Sequence, residues 1–231
     1  MAQFIKKTFN KFEGKTTIEG MPCLMDKKWK IKWYFNLRRI TTSEFDDIVI
    51  DIHHFSPDWF FLRNGNLILN IDNAKNIHLD PHESYSDVGS QQGGLDSAAT
   101  VMTEESCFYD IDKEELKEIC DAKHLDIQVT GDSEQKQMDG ELFRLYSQAF
   151  YNAVIDNSCY RGSLEAYRRC EKKLDWVRNW VWLKFAIGSV LLAFLIIPLL
   201  YEDDMSTASV VLLWSGVSVA VYFIARYLYR R

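Results

Sequence analysis

The last fifty-odd residues constrain this chain most. Phe185 to Tyr201 is a run of 17 residues without a charge, and Met205 to Ala225 is a second run of 21. Only Glu202, Asp203 and Asp204 separate them. At about 1.5 Å per helical residue, each run crosses or nearly crosses a hydrocarbon core about 30 Å thick. The sequence therefore predicts a folded domain followed by a transmembrane helical hairpin, with spans at 185–201 and 205–225.

The flanks fit membrane interfaces. Trp176, Trp180 and Trp182 cluster before the first run, and Tyr222, Tyr227 and Tyr229 sit near the exit of the second. Amphipathic rings favour that depth. Lys184 can extend its ammonium toward the headgroups while its stem stays in apolar surroundings. Ser189 and Ala193, and Gly216 and Ala220, place small residues four apart, a spacing that lets two helices approach closely. Seven basic residues lie in 161–184 and three more follow the second run, against three acids in the connecting loop. Positively charged flanks stay inside, which predicts a two-pass protein of a bacterial inner membrane with both termini cytoplasmic.

The preceding 160 residues suffice for one domain with its own core. The N-terminal stretch lacks the continuous apolar core of a cleavable signal. Five cysteines without a C-x-x-C pair suit free thiols in a reducing compartment. Charge is unevenly spread. Residues 1–39 hold ten bases and three acids, whereas 40–160 hold seven bases and 24 acids. Lys28, Lys30 and Lys32 are the candidate contacts for an anionic partner. The acidic body disfavours broad wrapping by nucleic acid.

Patterning predicts an α+β domain over 1–160 with a largely antiparallel sheet and two or three helices. Phe4, Ile5, Phe9 and Phe12 fall on one helical arc, predicting a short amphipathic basic helix over 4–12. From Lys28 to Leu37 apolar and polar residues alternate, as they do around Ile48, Ile50 and Ile52, which predicts half-buried strands. Asn64-Gly65 between two apolar runs predicts a tight hairpin. Ile77 and Leu79 mark a short strand, and 82–99 is read as a flexible loop. A strand near 101–109 leads into a helix capped by Asp112, with Glu115 completing a capping box. Leu125, Ile127 and Val129 predict another strand, and 131–140 a polar loop. A helix from Asp139 carries Leu142, Phe143, Tyr146 and Phe150. A connector helix over 161–184, capped by Ser163, runs on into the first span.

Chemistry-bearing patterns are sparse. His78, Asp80 and His82 would share one face of a strand as metal ligands do, but Pro81 and the following loop favour a solvated strand end. Asp51 and His53 share a face and His54 takes the other. No phosphate-binding glycine loop or G-x-S-x-G elbow occurs. The sequence thus predicts no catalytic, metal or cofactor residues. Trp29, Trp33, Phe35, Trp59, Phe60 and Phe61 are read as core of the sheet.

The plan of Arg168–Arg231 resembles, in architecture, the two-helix membrane effectors of bacterial antiphage systems, including those paired with retron reverse transcriptases or cyclic-nucleotide synthases. The resemblance implies an abortive-infection effector. Its domain would sense or dock a companion protein or nucleoprotein complex, it would act as a homo-oligomer, and its hairpin would perturb the inner membrane. The alternative is a membrane-tethered adaptor, assembly subunit or immunity protein with a passive anchor. A third is an enzyme with an unrecognised site.

Overall fold

The computed structural model describes residues 4–28, 30–91, 100–132 and 134–177. The chain divides into two units, Met1–Arg169 and Cys170–Arg231. The described part of the second unit is the helical stretch 170–177. Both predicted spans, and with them Trp180, Trp182, Lys184, Ser189, Ala193, Gly216 and Ala220, lie outside the described residues, as does Trp29. Among the described residues no helix is long and apolar enough to cross a membrane.

The first unit is α+β with two antiparallel sheets. The larger joins β1 (Ile5–Asn10), β2 (Lys15–Gly20), β3 (Cys23–Lys28), β4 (Ile31–Thr41), β5 (Asp46–Ser56), β8 (Pro81–Gln91) and β9 (Thr100–Ile111). Their order is β1-β2-β4-β5-β9-β8, with β3 also paired to β4. The smaller sheet joins β6 (Leu67–Ile71), β7 (Lys75–Leu79), β10 (Leu125–Thr130) and β11 (Gln135–Asp139) in the order β11-β10-β6-β7. Helices α1 (Lys113–Asp121) and α2 (Glu141–Phe150) lie in contact, and α2 rests on β3, β4 and β10. A third helix, α3, covers residues 161–177.

Alternation sets the register of the central strands. Trp33, Phe35 and Leu37 of β4 and Ile48, Ile50 and Ile52 of β5 are buried as their spacing predicts. Burial of each such side chain stabilises by about 1.5–3 kcal/mol. A one-residue slip would turn all of them over, so one register dominates. Phe35 meets Phe143 of α2 edge to face, with centroids 5.3 Å apart. The capping box of α1 forms as its spacing predicts: Asp112 Oδ1 accepts from Glu115 N at 2.8 Å, and the Glu115 carboxylate returns to Asp112 N.

At one edge of β4 the partner changes. β3 pairs with Ile31–Phe35 and β2 with Arg38–Thr41. At the change the Leu37 N–H meets the Tyr146 hydroxyl at 3.1 Å and its neighbour's Asn36 Oδ1 at 2.8 Å. The Tyr146 hydroxyl in turn donates to Asn36 Oδ1 at 2.8 Å. Complete burial pushes the Tyr146 phenol well above its ordinary pKa, so it remains a neutral donor. Gly20 makes room for it, since a Cβ there would lie 2.2 Å from the hydroxyl oxygen. Tyr146→Phe is expected to lower stability by about 1–2 kcal/mol in denaturant titration. Gly20→Ala should be more harmful in wild type than when combined with Tyr146→Phe, a coupling that a double-mutant cycle reads directly.

Several expectations need correction. Residues 4–12 form no helix. The segment is too short to hold helical structure alone, and β2 offers it a ladder from Ile5↔Gly20 to Asn10↔Lys15. Phe4 is buried beside Tyr146 and Tyr167, while Phe9 and Phe12 project outward. Lys28 to Leu37 is not one strand, because a turn divides β3 from β4 and Lys28 pairs with Ile31. The segment read as a loop, 82–99, contains most of β8, which pairs along β9. Backbone pairing to that long neighbour outweighs its polar composition, and polar residues suit an edge strand. Residues 92–99 lie outside the description. Within the expected loop 131–140, β11 pairs with β10 and buries Met138.

Asn64-Gly65 makes no hairpin either. Leu62–Asn64 is a short 3-10 turn, and Gly65 has an extended φ of −103°. The hairpin is β6–β7, where Asp72 and Asn73 take the positive φ values. Ser163 is not a cap acceptor, since its hydroxyl donates to the Tyr160 carbonyl at 2.9 Å. α2 ends in a π turn, Tyr151–Ile155, whose Val154 carbonyl accepts from Arg39 Nη1 at 2.8 Å.

Candidate functional site: an aromatic cleft

The site is built on a cross-strand row. Register places Trp33, His54 and Glu105 side by side on β4, β5 and β9. All three are buried. The His54 ring lies over Trp33 with centroids 4.1 Å apart. His54 Nδ1 stands 3.4 Å from Glu105 Oε2.

A buried carboxylate requires several donors. Glu105 finds them in the chain that leaves β5. Phe60 N donates to Oε2 at 2.7 Å, and Phe61 N and Leu62 N donate to Oε1 at 2.7 and 3.2 Å. Burial works to raise the Glu105 pKa. The hydrogen bonds from His54, Phe60 and Leu62 outweigh it and hold the group below the ordinary glutamate value. Thr103 adds two more ties, donating to the carbonyls of Ser56 at 2.9 Å and Asp58 at 3.1 Å.

The held segment is strained. Phe61 adopts φ 60°, ψ 54°, a left-handed conformation that costs a bulky residue on the order of 1–3 kcal/mol. That conformation separates three consecutive aromatics. Phe60 turns inward, edge-on to Trp33 at 4.9 Å. Trp59 and Phe61 turn outward, near-parallel with centroids 6.1 Å apart and more than a third exposed. The expectation that all three are core holds for Phe60 alone, because Trp59 and Phe61 fall on the outward face of the segment that follows β5.

Between this pair and the edge strand β8 lies a cleft of about 210 Å³. Its walls are Trp59, Phe61 and Arg63 on one side and Ser84, Tyr85 and Ser86 on the other, with Glu105 at the floor. Arg63 is exposed, and the Tyr85 hydroxyl donates to Asp87 Oδ2 at 3.0 Å. The lining offers aromatic faces, one guanidinium and hydroxyl groups. Glu105 is fully engaged with backbone N–H groups, so its role is to hold the loop. The chemistry available is recognition of a partly apolar group with an anionic or hydrogen-bonding edge.

The other predicted residues are placed as follows. His53 and His54 do fall on opposite faces. Asp51 is fully buried and meets His53 Nε2 at 3.0 Å and the Arg38 guanidinium. His78 is exposed on β7, whereas His82 lies on β8 in the other sheet, 3.2 Å from Asp110. Among the described residues no group of histidine, cysteine or acidic side chains is arranged to hold a metal. Lys28, Lys30 and Lys32 surround the β3–β4 turn and are half-buried. Trp176 is exposed on α3. A wider polar groove of about 600 Å³ crosses the smaller sheet between Asn70, His124, Asp126 and Gln137.

Sequence reasoning misses Glu105, although a signal is there. Alternation along β9 puts Thr103, Glu105, Cys107 and Tyr109 on one face, so a lone acid sits in a buried row. Comparison of the chain with protein families, with characterised proteins and with solved structures gives no match.

Proposed function

We propose that this chain is a membrane-anchored effector of a bacterial defence system of the abortive-infection type. Residues 1–169 are its docking domain and the apolar pair 185–201 and 205–225 its membrane-active part. The observation that carries the anchoring is the pair of long uncharged runs, separated by three acids and flanked by ten bases. The docking role rests on the Trp59–Phe61 pair, which a buried carboxylate holds outward in a strained backbone. Strain of that kind gathers at binding sites, where it fixes a side chain in the geometry a ligand meets. At high copy number the hairpin would oligomerise and open the inner membrane to ions unaided, and a partner bound in the cleft would bring this about at lower copy number.

Inducible production of the full chain in bacteria, followed with a potential-sensitive dye, tests this reading. The wild-type chain is expected to depolarise the cells. Gly216→Lys should abolish the effect, since a charge at mid-membrane costs roughly 2.5–3.5 kcal/mol on insertion scales. Reporter fusions after Arg231 and within 202–204 should report opposite compartments. A normal potential in cells holding the chain at a high membrane level would overturn the effector reading in favour of a tethered adaptor.

A further inference from the structure

The β1–β2 hairpin ends in an exposed aromatic and basic tip. Phe9 is 66% and Phe12 89% exposed, the two most exposed large apolar side chains among the described residues. Lys6, Lys7 and Lys11 beside them are exposed, and Lys11 Nζ lies 5.1 Å from the Phe12 ring centroid. Segment 4–15 carries four lysines against Glu13 alone. The tip is held in shape: Asn10 Oδ1 accepts from Phe12 N at 3.1 Å, and Gly14 supplies a φ of 61° for the reversal.

We infer that this hairpin tip docks on the anionic surface of a lipid bilayer. Phe9 and Phe12 enter the headgroup boundary, and Lys6, Lys7 and Lys11 meet lipid phosphates. Three observations favour a bilayer over other occupants. First, both rings are exposed beside the turn of a hairpin at the edge of the sheet, where a plane can meet them. Second, the local charge suits an anionic plane: Lys6, Lys7 and Lys11 are exposed beside the rings, and Glu13 is the one acid in segment 4–15. Third, the root of the hairpin packs on the start of α3, the helix that precedes the first apolar run. Phe4 lies 6.4 Å from Tyr160 and 6.2 Å from Tyr167, centroid to centroid. The inference rests on the membrane anchoring proposed above, which tethers the domain and raises its local concentration of lipid.

Hydrogen exchange of the full chain in nanodiscs tests it, with phosphatidylcholine alone or mixed with phosphatidylglycerol as the lipid. Amides over 5–14 are expected to exchange about tenfold more slowly in the anionic discs, and the difference should vanish at high salt. It should also vanish in the Phe9→Ser/Phe12→Ser and Lys6→Glu/Lys7→Glu/Lys11→Glu variants. Unchanged exchange over 46–56 will show that those variants remain folded. Equal exchange in the two lipids, or protection that survives in both variants, overturns the inference, as does protection that appears only when DNA is added. A chain that fails to enter discs of either composition overturns the anchoring itself, a separate outcome.

Discussion

Replacing Glu105 with alanine is expected to cost the folded domain about 3–5 kcal/mol, as removal of one member of a buried charged network does. The change leaves the amide groups of Phe60, Phe61 and Leu62 without their acceptor in a dry site. It also frees Phe61 to leave its strained conformation, so the Trp59–Phe61 pair should lose its order. Denaturant titration followed by tryptophan fluorescence reads both effects. Glu105→Gln keeps an acceptor oxygen and should lose less. The native carboxyl has a depressed pKa. Its contribution is therefore complete at neutral pH, above the ordinary glutamate value, and is lost as pH falls through the lower folded value. The Glu105→Gln variant should lack that part of the acid sensitivity. A Glu105→Ala protein with wild-type stability would show that the loop is held by something else.

Gly65→Ala is expected to be nearly as harmful, for a steric reason. A Cβ at Gly65 would lie 1.4 Å from the Thr130 carbonyl oxygen and 2.5 Å from its carbon. Both are backbone atoms of β10, which is paired on both sides to β6 and β11. Neither can yield without opening a ladder, so the cost should reach about 3 kcal/mol, the upper end for an overpacked site. The φ of −103° suits any residue, so the glycine is required by the close approach and not by its backbone angle. Gly14→Ala makes a useful contrast. There φ is 61° with nothing within 4 Å, and a penalty of about 1 kcal/mol from backbone strain alone is expected. Equal melting temperatures for the two variants would contradict this assignment of causes.

What the sequence discloses and what it conceals follow from the range of the forces involved. The α1 capping box is complete within four residues, and Asp112 and Glu115 announce it. The alternation in β10 is written by burial on one face, so Ile127 is legible; in β5 the apolar spacing discloses Ile50 but not that Val49 and Asp51 on the other face are buried too. Segments 4–12 and 82–88 are not legible. Their side chains largely face water, so they carry no clean period, and the backbone pairing that makes them strands comes from a neighbouring strand. The false hairpin signal at Asn64-Gly65 has a related origin, for the demand on Gly65 comes from Thr130, far along the chain. The cleft is hidden for the same reason. Glu105 and Phe61 meet across 44 residues, and the left-handed turn that exposes one ring and buries the next exists only once they do.

The Tyr146 hydroxyl has a mechanical consequence. At residues 36 and 37 the sheet changes from one neighbouring strand to another, and such a splice would ordinarily be a hinge about which β1 and β2 could swing. The phenol acts there as a shear pin driven in from α2. The phenol ties α2 to Leu37 and Asn36 of β4, and Asn36 Nδ2 donates in turn to Glu19 Oε1 of β2 at 2.9 Å, so rotation of the β1–β2 arm about the splice must break that bond and displace Phe4 from the faces of Tyr146 and Tyr167. The arm and helix α2 therefore move as one lever. A load applied at the tip of the arm reaches the helical layer through this joint.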